Sequence, residues 1–188
     1  MFKKSLVAAA VIMFAGVANA ATDEGVAGGT ITFNGSVTDT TCNVTTNNGS
    51  DFTVSLDPIT LDSLGTTAGV VANGAKQFTM AVSGCTGSST ADDTLKITFS
   101  SSNVSDDQKY LTNYSGDAEG VGIALTTDGS AGTAVAFDSA LDTGVTSTDA
   151  ASTTGANVSF FANYYNYGGA SVSTGSVVTT ATYTFTYE

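Results

Sequence analysis

The sequence predicts an all-β fold, a sandwich of two sheets. Three observations carry that expectation. Apolar and polar residues alternate with a period of two along seven stretches, while no stretch repeats with the helical period. Serine and threonine make up about a third of the residues after Ala20, valine and aromatic residues fill the apolar positions, and proline occurs once. Clusters rich in Gly, Asn, Asp and Ser separate the alternating stretches, as turns between short strands require.

The first stretch is residues 30–44, where Ile31 and Phe33 share a face before Asn34 and Gly35 interrupt the pattern. Residues 52–56, 77–83, 94–100, 122–126 and 157–165 follow, with turn signals at 47–50, 84–93, 128–130 and 168–169 between them. Residues 57–64 are the one segment fit for a helical turn, and residues 138–154, rich in Ala, Ser, Thr, Asp and Gly, read as a long surface loop. The last stretch, residues 177–187, places Ala181, Tyr183, Phe185 and Tyr187 on one face and threonines on the other. Chain ends fray unless held. Three aromatics on one face mark this end as a strand that something covers.

The first twenty residues read as a secretory leader. Lys3 and Lys4 form a basic segment, residues 6–17 are apolar, and Ala18-Asn19-Ala20 is a small-x-small cleavage site. An uncleaved anchor is the alternative, against which the apolar run is short for a membrane span. Residues 21–34 then read as an arm ahead of a single domain, residues 35–188. In the arm, Ala27, Gly29, Ile31 and Phe33 fall on one face of a short strand. A glycine inside a strand marks close approach of another backbone, or else this is a frayed end leading into an ordinary first strand.

Cys42 and Cys85 are the two cysteines. In an exported chain two thiols pair as one disulfide, closing a loop worth roughly 4 kcal/mol in chain entropy. The alternative, a redox-active couple, lacks the Cys-x-x-Cys spacing. The formal net charge is −12, from five lysines against 17 acids, with no arginine. That balance argues against nucleic acid and anionic membranes as partners. The acids are scattered, as on a solvated surface rather than in a cation site.

Catalytic chemistry has little to stand on. The chain has no histidine, which removes the commonest general base and metal ligand. Glycine-rich phosphate loops and metal motifs are missing, so no cofactor and no small-molecule substrate are expected. Asp92-Asp93 and Asp106-Asp107 read as turn formers before a catalytic pair. Tyr164, Tyr165 and Tyr167 read as strand packing, with a sugar-binding platform as the alternative. Six Asn-x-Ser/Thr sequons, starting at Asn34, Asn43, Asn48, Asn103, Asn113 and Asn157, follow from composition.

Several segments carry a resemblance. The run from Gly29-Thr30-Ile31-Thr32-Phe33-Asn34-Gly35 through Thr41-Cys42-Asn43-Val44 resembles the start of a type 1 fimbrial major subunit, a chaperone–usher pilin. Cys85 within Met80-Ala81-Val82-Ser83-Gly84-Cys85 falls where that family places its second cysteine. Residues 121–125 and 158–165 resemble its later strands, and Gly175 with the penultimate Tyr187 resembles its terminal signature. The resemblance implies an incomplete immunoglobulin-like sandwich, completed by a donor strand from a neighbouring subunit. It implies Ala27, Gly29, Ile31 and Phe33 as donor residues, with Gly29 at the narrow pocket where exchange begins. It implies Gly175, Ala181, Tyr183, Phe185 and Tyr187 as the acceptor edge and chaperone contact. The arm and the last strand would then meet between molecules rather than within one.

The same resemblance implies a structural subunit of a fimbrial rod supporting adhesion, not an enzyme. Its partners would be copies of itself, a periplasmic chaperone and an outer-membrane usher, and its destination the cell surface by way of the periplasm. Two rivals stay open at this level: a minor or adaptor pilin of the same fimbria, and a secreted carbohydrate-binding β-sandwich.

Overall fold

A computed structural model of the chain describes residues 29–35, 42–46, 49–87 and 93–187. The expected leader, Ala27 and the rest of the arm before Gly29 lie outside them, as does Asp92. For β1, Gly29–Gly35, the backbone and its register are described. The remaining strands are β2 (Asn43–Thr45), β3 (Phe52–Leu56), β4 (Gly69–Val70), β5 (Lys76–Ser83), β6 (Thr94–Ser100), β7 (Leu111–Thr112), β8 (Val121–Thr126), β9 (Leu141–Thr146), β10 (Ala156–Asn166) and β11 (Val177–Tyr187). Two short helices interrupt them, α1 (Leu61–Leu64) and α2 (Ser147–Ala151).

The strands form two sheets, the sandwich that the alternation predicts. One runs β3-β1-β11-β6-β9 and the other β2-β5-β10-β8-β7, with β4 against β10. Burial follows the period of two closely. In β3 the pattern is buried-exposed throughout, with Phe52, Val54 and Leu56 inward. In β6, Leu95, Ile97 and Phe99 are inward, and in β11 Val177, Thr179, Ala181, Tyr183 and Phe185 are. Burying these faces against each other removes the apolar area that drives the collapse. Aromatic rings link the sheets in a chain: Phe52 to Phe78 at 5.6 Å, Phe78 to Phe160 at 5.9 Å, and Phe160 edge-on to Phe99 at 5.1 Å.

Cys42 and Cys85 are bonded, which ties the start of β2 to the residues just after β5. α1 sits where the helical turn is expected. The Thr60 side chain accepts the Ser63 N–H at 3.2 Å at its start, and Gly65 ends it at φ 72°.

Two expectations need correction. Residues 30–44 are not one strand: β1 and β2 lie in opposite sheets, and the intervening residues 36–41 fall outside the description. Residues 138–154 are not a loop: they hold β9 and α2. β9 keeps the period of two, with Leu141, Thr143 and Val145 more buried than Asp142, Gly144 and Thr146, but the threonine at its middle inward position hides the apolar alternation; its pairing with β6 shifts between Leu95 and Lys96. Asp142 and Gly144 at the irregularity bond to each other, the Gly144 N–H donating to Asp142 Oδ1 at 2.7 Å. For α2 a signal was present: Thr146 and Asp149 stand three apart, and the Thr146 side chain accepts the Asp149 N–H at 3.2 Å. α2 then holds the disulfide end, because the Cys85 N–H donates to the Ala150 carbonyl at 3.0 Å.

Candidate functional site

The place of β1 singles out one region. β3 and β11 share a sheet, and β1 lies between them. β1 pairs antiparallel with β3, Gly29 opposite Leu56 and Phe33 opposite Phe52. It pairs parallel with β11, Gly29 opposite Val177 and Gly35 opposite Tyr183. Every other described strand pair is antiparallel. Gly29, Ile31 and Phe33 hold the register positions whose partners on both sides face the core: Val177, Thr179 and Ala181 on β11, and Leu56, Val54 and Phe52 on β3. Removing β1 from the sheet would leave two strand edges facing each other across a trench floored by core side chains.

In this chain the arm and the last strand therefore meet within one molecule. The resemblance leads to the opposite expectation for the assembled fibre. The resident strand is the chain's own N-terminal segment, tethered to the domain whose trench it fills. An unpaired edge next to apolar surface draws it in.

The two ends of the trench differ. At the Tyr183 end, the Tyr183 hydroxyl donates to the Ser50 carbonyl at 2.8 Å, crossing from β11 to the segment before β3. Burial pushes the Tyr183 hydroxyl above its ordinary pKa, and nearby Asp51 pushes it the same way. At the Val177 end the trench opens into a cavity of about 430 Å³. Ile59, Leu61 and Leu64 around α1 line one side, Gly175 and Val177 another, and Tyr164 lies among the rest. The sequence reading names Gly175 and misses the α1 wall. The clue was the apolar spacing Ile59, Leu61, Leu64 inside the predicted helical turn.

Gly175 is bound to its place by space. It lies at φ 154°, and a Cβ there would collide with the backbone nitrogen of Ala118. Ala181, Tyr183 and Phe185 are buried to 3% exposure or less, while Tyr187 is half-buried. Two hydroxyls of β11, on Thr179 and Tyr187, are buried without a hydrogen-bond partner among the described residues.

The other candidate chemistry resolves into structure. Tyr164 points to the core and donates its hydroxyl to the Asp57 carbonyl at 3.3 Å. Tyr165 and Tyr167 lie on the outer face, both stacked on Tyr110 at 4.3 and 5.1 Å between ring centres. The three tyrosines of the sequence reading thus do not form one platform. Asp107 accepts from the Ser105 hydroxyl at 2.7 Å and pairs with Lys109 at 3.1 Å. These bonds, Ser105 first, hold its carboxyl below the ordinary range, and Asp106-Asp107 lies in a turn. Among the described residues no cluster of His, Cys, Asp and Glu is placed to hold a metal ion, and no helix is long and apolar enough to cross a membrane.

Comparison with known proteins bears on this geometry. No curated protein matches the chain. Among solved structures, an antigen and type I fimbria protein of Burkholderia pseudomallei matches at 22% identity and a TM-score of 0.46, over 84% of this chain and 93% of that one. The P pilus rod subunit PapA matches at 17% identity and a TM-score of 0.42, over 70% and 89%. A family model described as fimbrial protein matches residues 31–188, from within β1 through β11. The chain belongs to the fimbrial protein family, the structural subunits of cell-surface pili.

Proposed function

We propose that this chain is a rod subunit of a chaperone–usher fimbria, exported by residues 1–20 and polymerised by donor-strand exchange. The observation that supports the reading is the position of β1: it is the one strand joining the β3 and β11 edges among the described residues, and it comes from the N-terminal arm. A strand that fills its own trench in parallel can be replaced by the same segment of another copy. Parallel pairs are slightly less stable per residue than antiparallel ones, so an incoming arm entering antiparallel to β11 gains on the resident strand while the hydrogen-bond count stays level.

Ala27, Gly29, Ile31 and Phe33 are the donor residues in this proposal, and Gly175, Ala181, Tyr183, Phe185 and Tyr187 mark the acceptor edge. A periplasmic chaperone would shield that edge before assembly, since an empty trench exposes apolar surface and unpaired backbone. The outer-membrane usher would be the site where the next subunit's arm enters. The cavity beside Gly175 and Val177 supplies an open end at which an incoming arm can engage before β1 has left.

The test is uptake of a labelled peptide copying residues 21–35 by the purified exported chain. The expected result is slow, saturable uptake with release of β1, and fibres that fail to grow when Gly29 is replaced by tryptophan. A chain that excludes the peptide indefinitely, together with undiminished fibres from Gly29→Trp, would overturn the proposal.

A further inference from the structure

We infer that Asn113 is a positioning residue for strand completion: it holds the N-terminal half of β11 in strand form while the strand beside it is exchanged. The inference rests on the donor-strand reading above and adds a residue to it. β6 pairs with β11 over Thr182 to Tyr187. Among the described residues, β11 from Val177 to Ala181 has β1 on one side and no strand on the other. A loop replaces that strand. Asn113 Oδ1 accepts the Val178 N–H at 2.8 Å, and the Tyr114 N–H donates to the Val178 carbonyl at 2.8 Å. Farther along, the Ser101 hydroxyl donates to the Thr180 carbonyl at 2.6 Å.

Asn113 does more than cap one amide. Its Oδ1 also accepts the Gly116 N–H at 3.0 Å, and its Nδ2 donates to the Ala118 carbonyl at 2.8 Å and to the Ser176 carbonyl at 3.0 Å. Both lone pairs and both hydrogens of the amide are used. The network admits one orientation, because two N–H groups need the oxygen and two carbonyls need the nitrogen. The two backbones so joined also touch. A Cβ on Gly116 would collide with the Ser176 carbonyl, and one on Gly175 with the Ala118 nitrogen. This is a built junction, and the same amide is too occupied to serve the Asn113-Tyr114-Ser115 sequon.

The consequence concerns the exchange itself. When β1 leaves, the β1-facing backbone groups of Val177 to Ala181 lose their partners, and without Asn113 that half of β11 would fray. With it, the acceptor stays extended and an incoming arm meets a strand already in shape. Preorganisation of this kind cuts the ordering cost of binding.

Asn113→Asp separates this role from general packing. The carboxylate keeps the shape and the acceptor half of the amide, but it sets charge against the Ala118 and Ser176 carbonyls. Protonation returns a donor. In the exported chain at neutral pH, Asn113→Asp and Asn113→Ala should each slow uptake of the residues 21–35 peptide by about tenfold, roughly the effect of a lost hydrogen bond or two. Amide hydrogen exchange at residues 177–181 should quicken by a similar factor while residues 183–187 keep their protection. As pH falls through the aspartate range, near ~4, Asn113→Asp should recover and Asn113→Ala should not. Asp117 and Glu119, the acids of the same loop, are unchanged in both variants, and the wild-type profile records their effect. Equal loosening along all of β11, unchanged exchange at 177–181, or no acid recovery would overturn the inference. If wild-type chain takes up no peptide, the donor-strand reading fails, and the exchange pattern across β11 still judges Asn113.

Discussion

β11 is one continuous strand with two different halves. From Thr182 to Tyr187 it is laddered to β6 and buries Tyr183 and Phe185 almost completely. From Val177 to Ala181 it leans on β1, on the Asn113 loop and on the Ser101 hydroxyl, beside a cavity. The inward residues change accordingly, from large aromatics to Val177, Thr179 and Ala181. The difference teaches how a strand can be both part of a core and an acceptor. One half has β6 beside it along its whole length and meets β1 only at Thr182 and Tyr183, so most of its support stays when β1 leaves. The other half is shaped for a partner that can be changed.

The largest expected effect breaks the first half. Phe185→Ala removes a fully buried ring and should cost about 3–5 kcal/mol, a large fraction of the 5–15 kcal/mol of a typical domain. Val177→Ala, in the second half and next to an existing cavity, should cost about 1–2 kcal/mol. Denaturant midpoints of the two variants would show the contrast, and equal losses would erase the distinction between the halves. Next in size is Gly175→Ala. The added Cβ has backbone on the other side, and the φ of 154° is foreign to alanine, so a loss of about 2–3 kcal/mol is expected. Protection of amides at 177–181 should fall with it, because the junction that Gly175 permits is the one Asn113 locks.

Much of this was legible in the residues. The alternation of residues 52–56, 94–100 and 177–187 gives β3, β6 and β11 to the residue, because each buries one face against a flat partner and the period survives. The face Ala181, Tyr183, Phe185 was likewise readable. What was not readable depends on contacts between distant segments. β9 keeps its period but carries Thr143 at the middle inward position, so its apolar alternation is masked. The parallel seat of β1 beside β11 is a matter of strand direction, which alternation cannot register. Asn113 carries no pattern of its own, and its role exists only once residues 176–178 are brought to it. The tyrosines at 164, 165 and 167 misled for a related reason: period two puts Tyr164 on the opposite face from its neighbours, and Tyr110 arrives from another loop to cover them.

The smallest effects lie in the hydroxyls, and they sharpen the comparison through sign rather than size. Tyr183→Phe leaves the ring in place and removes the bond to the Ser50 carbonyl, a loss of about 1 kcal/mol at neutral pH. It should also change the alkaline limb. The folded chain holds the Tyr183 proton more tightly than the unfolded chain does. Stability is therefore complete below the ordinary tyrosine value of ~10 and falls as pH rises above it, because the unfolded chain ionises first. Tyr183→Phe should reduce that fall, leaving the contributions of Tyr110 and Tyr187, whose values are raised for the same first reason, burial. Thr179→Val has the opposite sign. It replaces a buried hydroxyl without a partner among the described residues by a methyl of the same shape, and should stabilise by up to about 1 kcal/mol. A destabilised Thr179→Val would mean that the hydroxyl is used, and that the second half of β11 is tied down as firmly as the first.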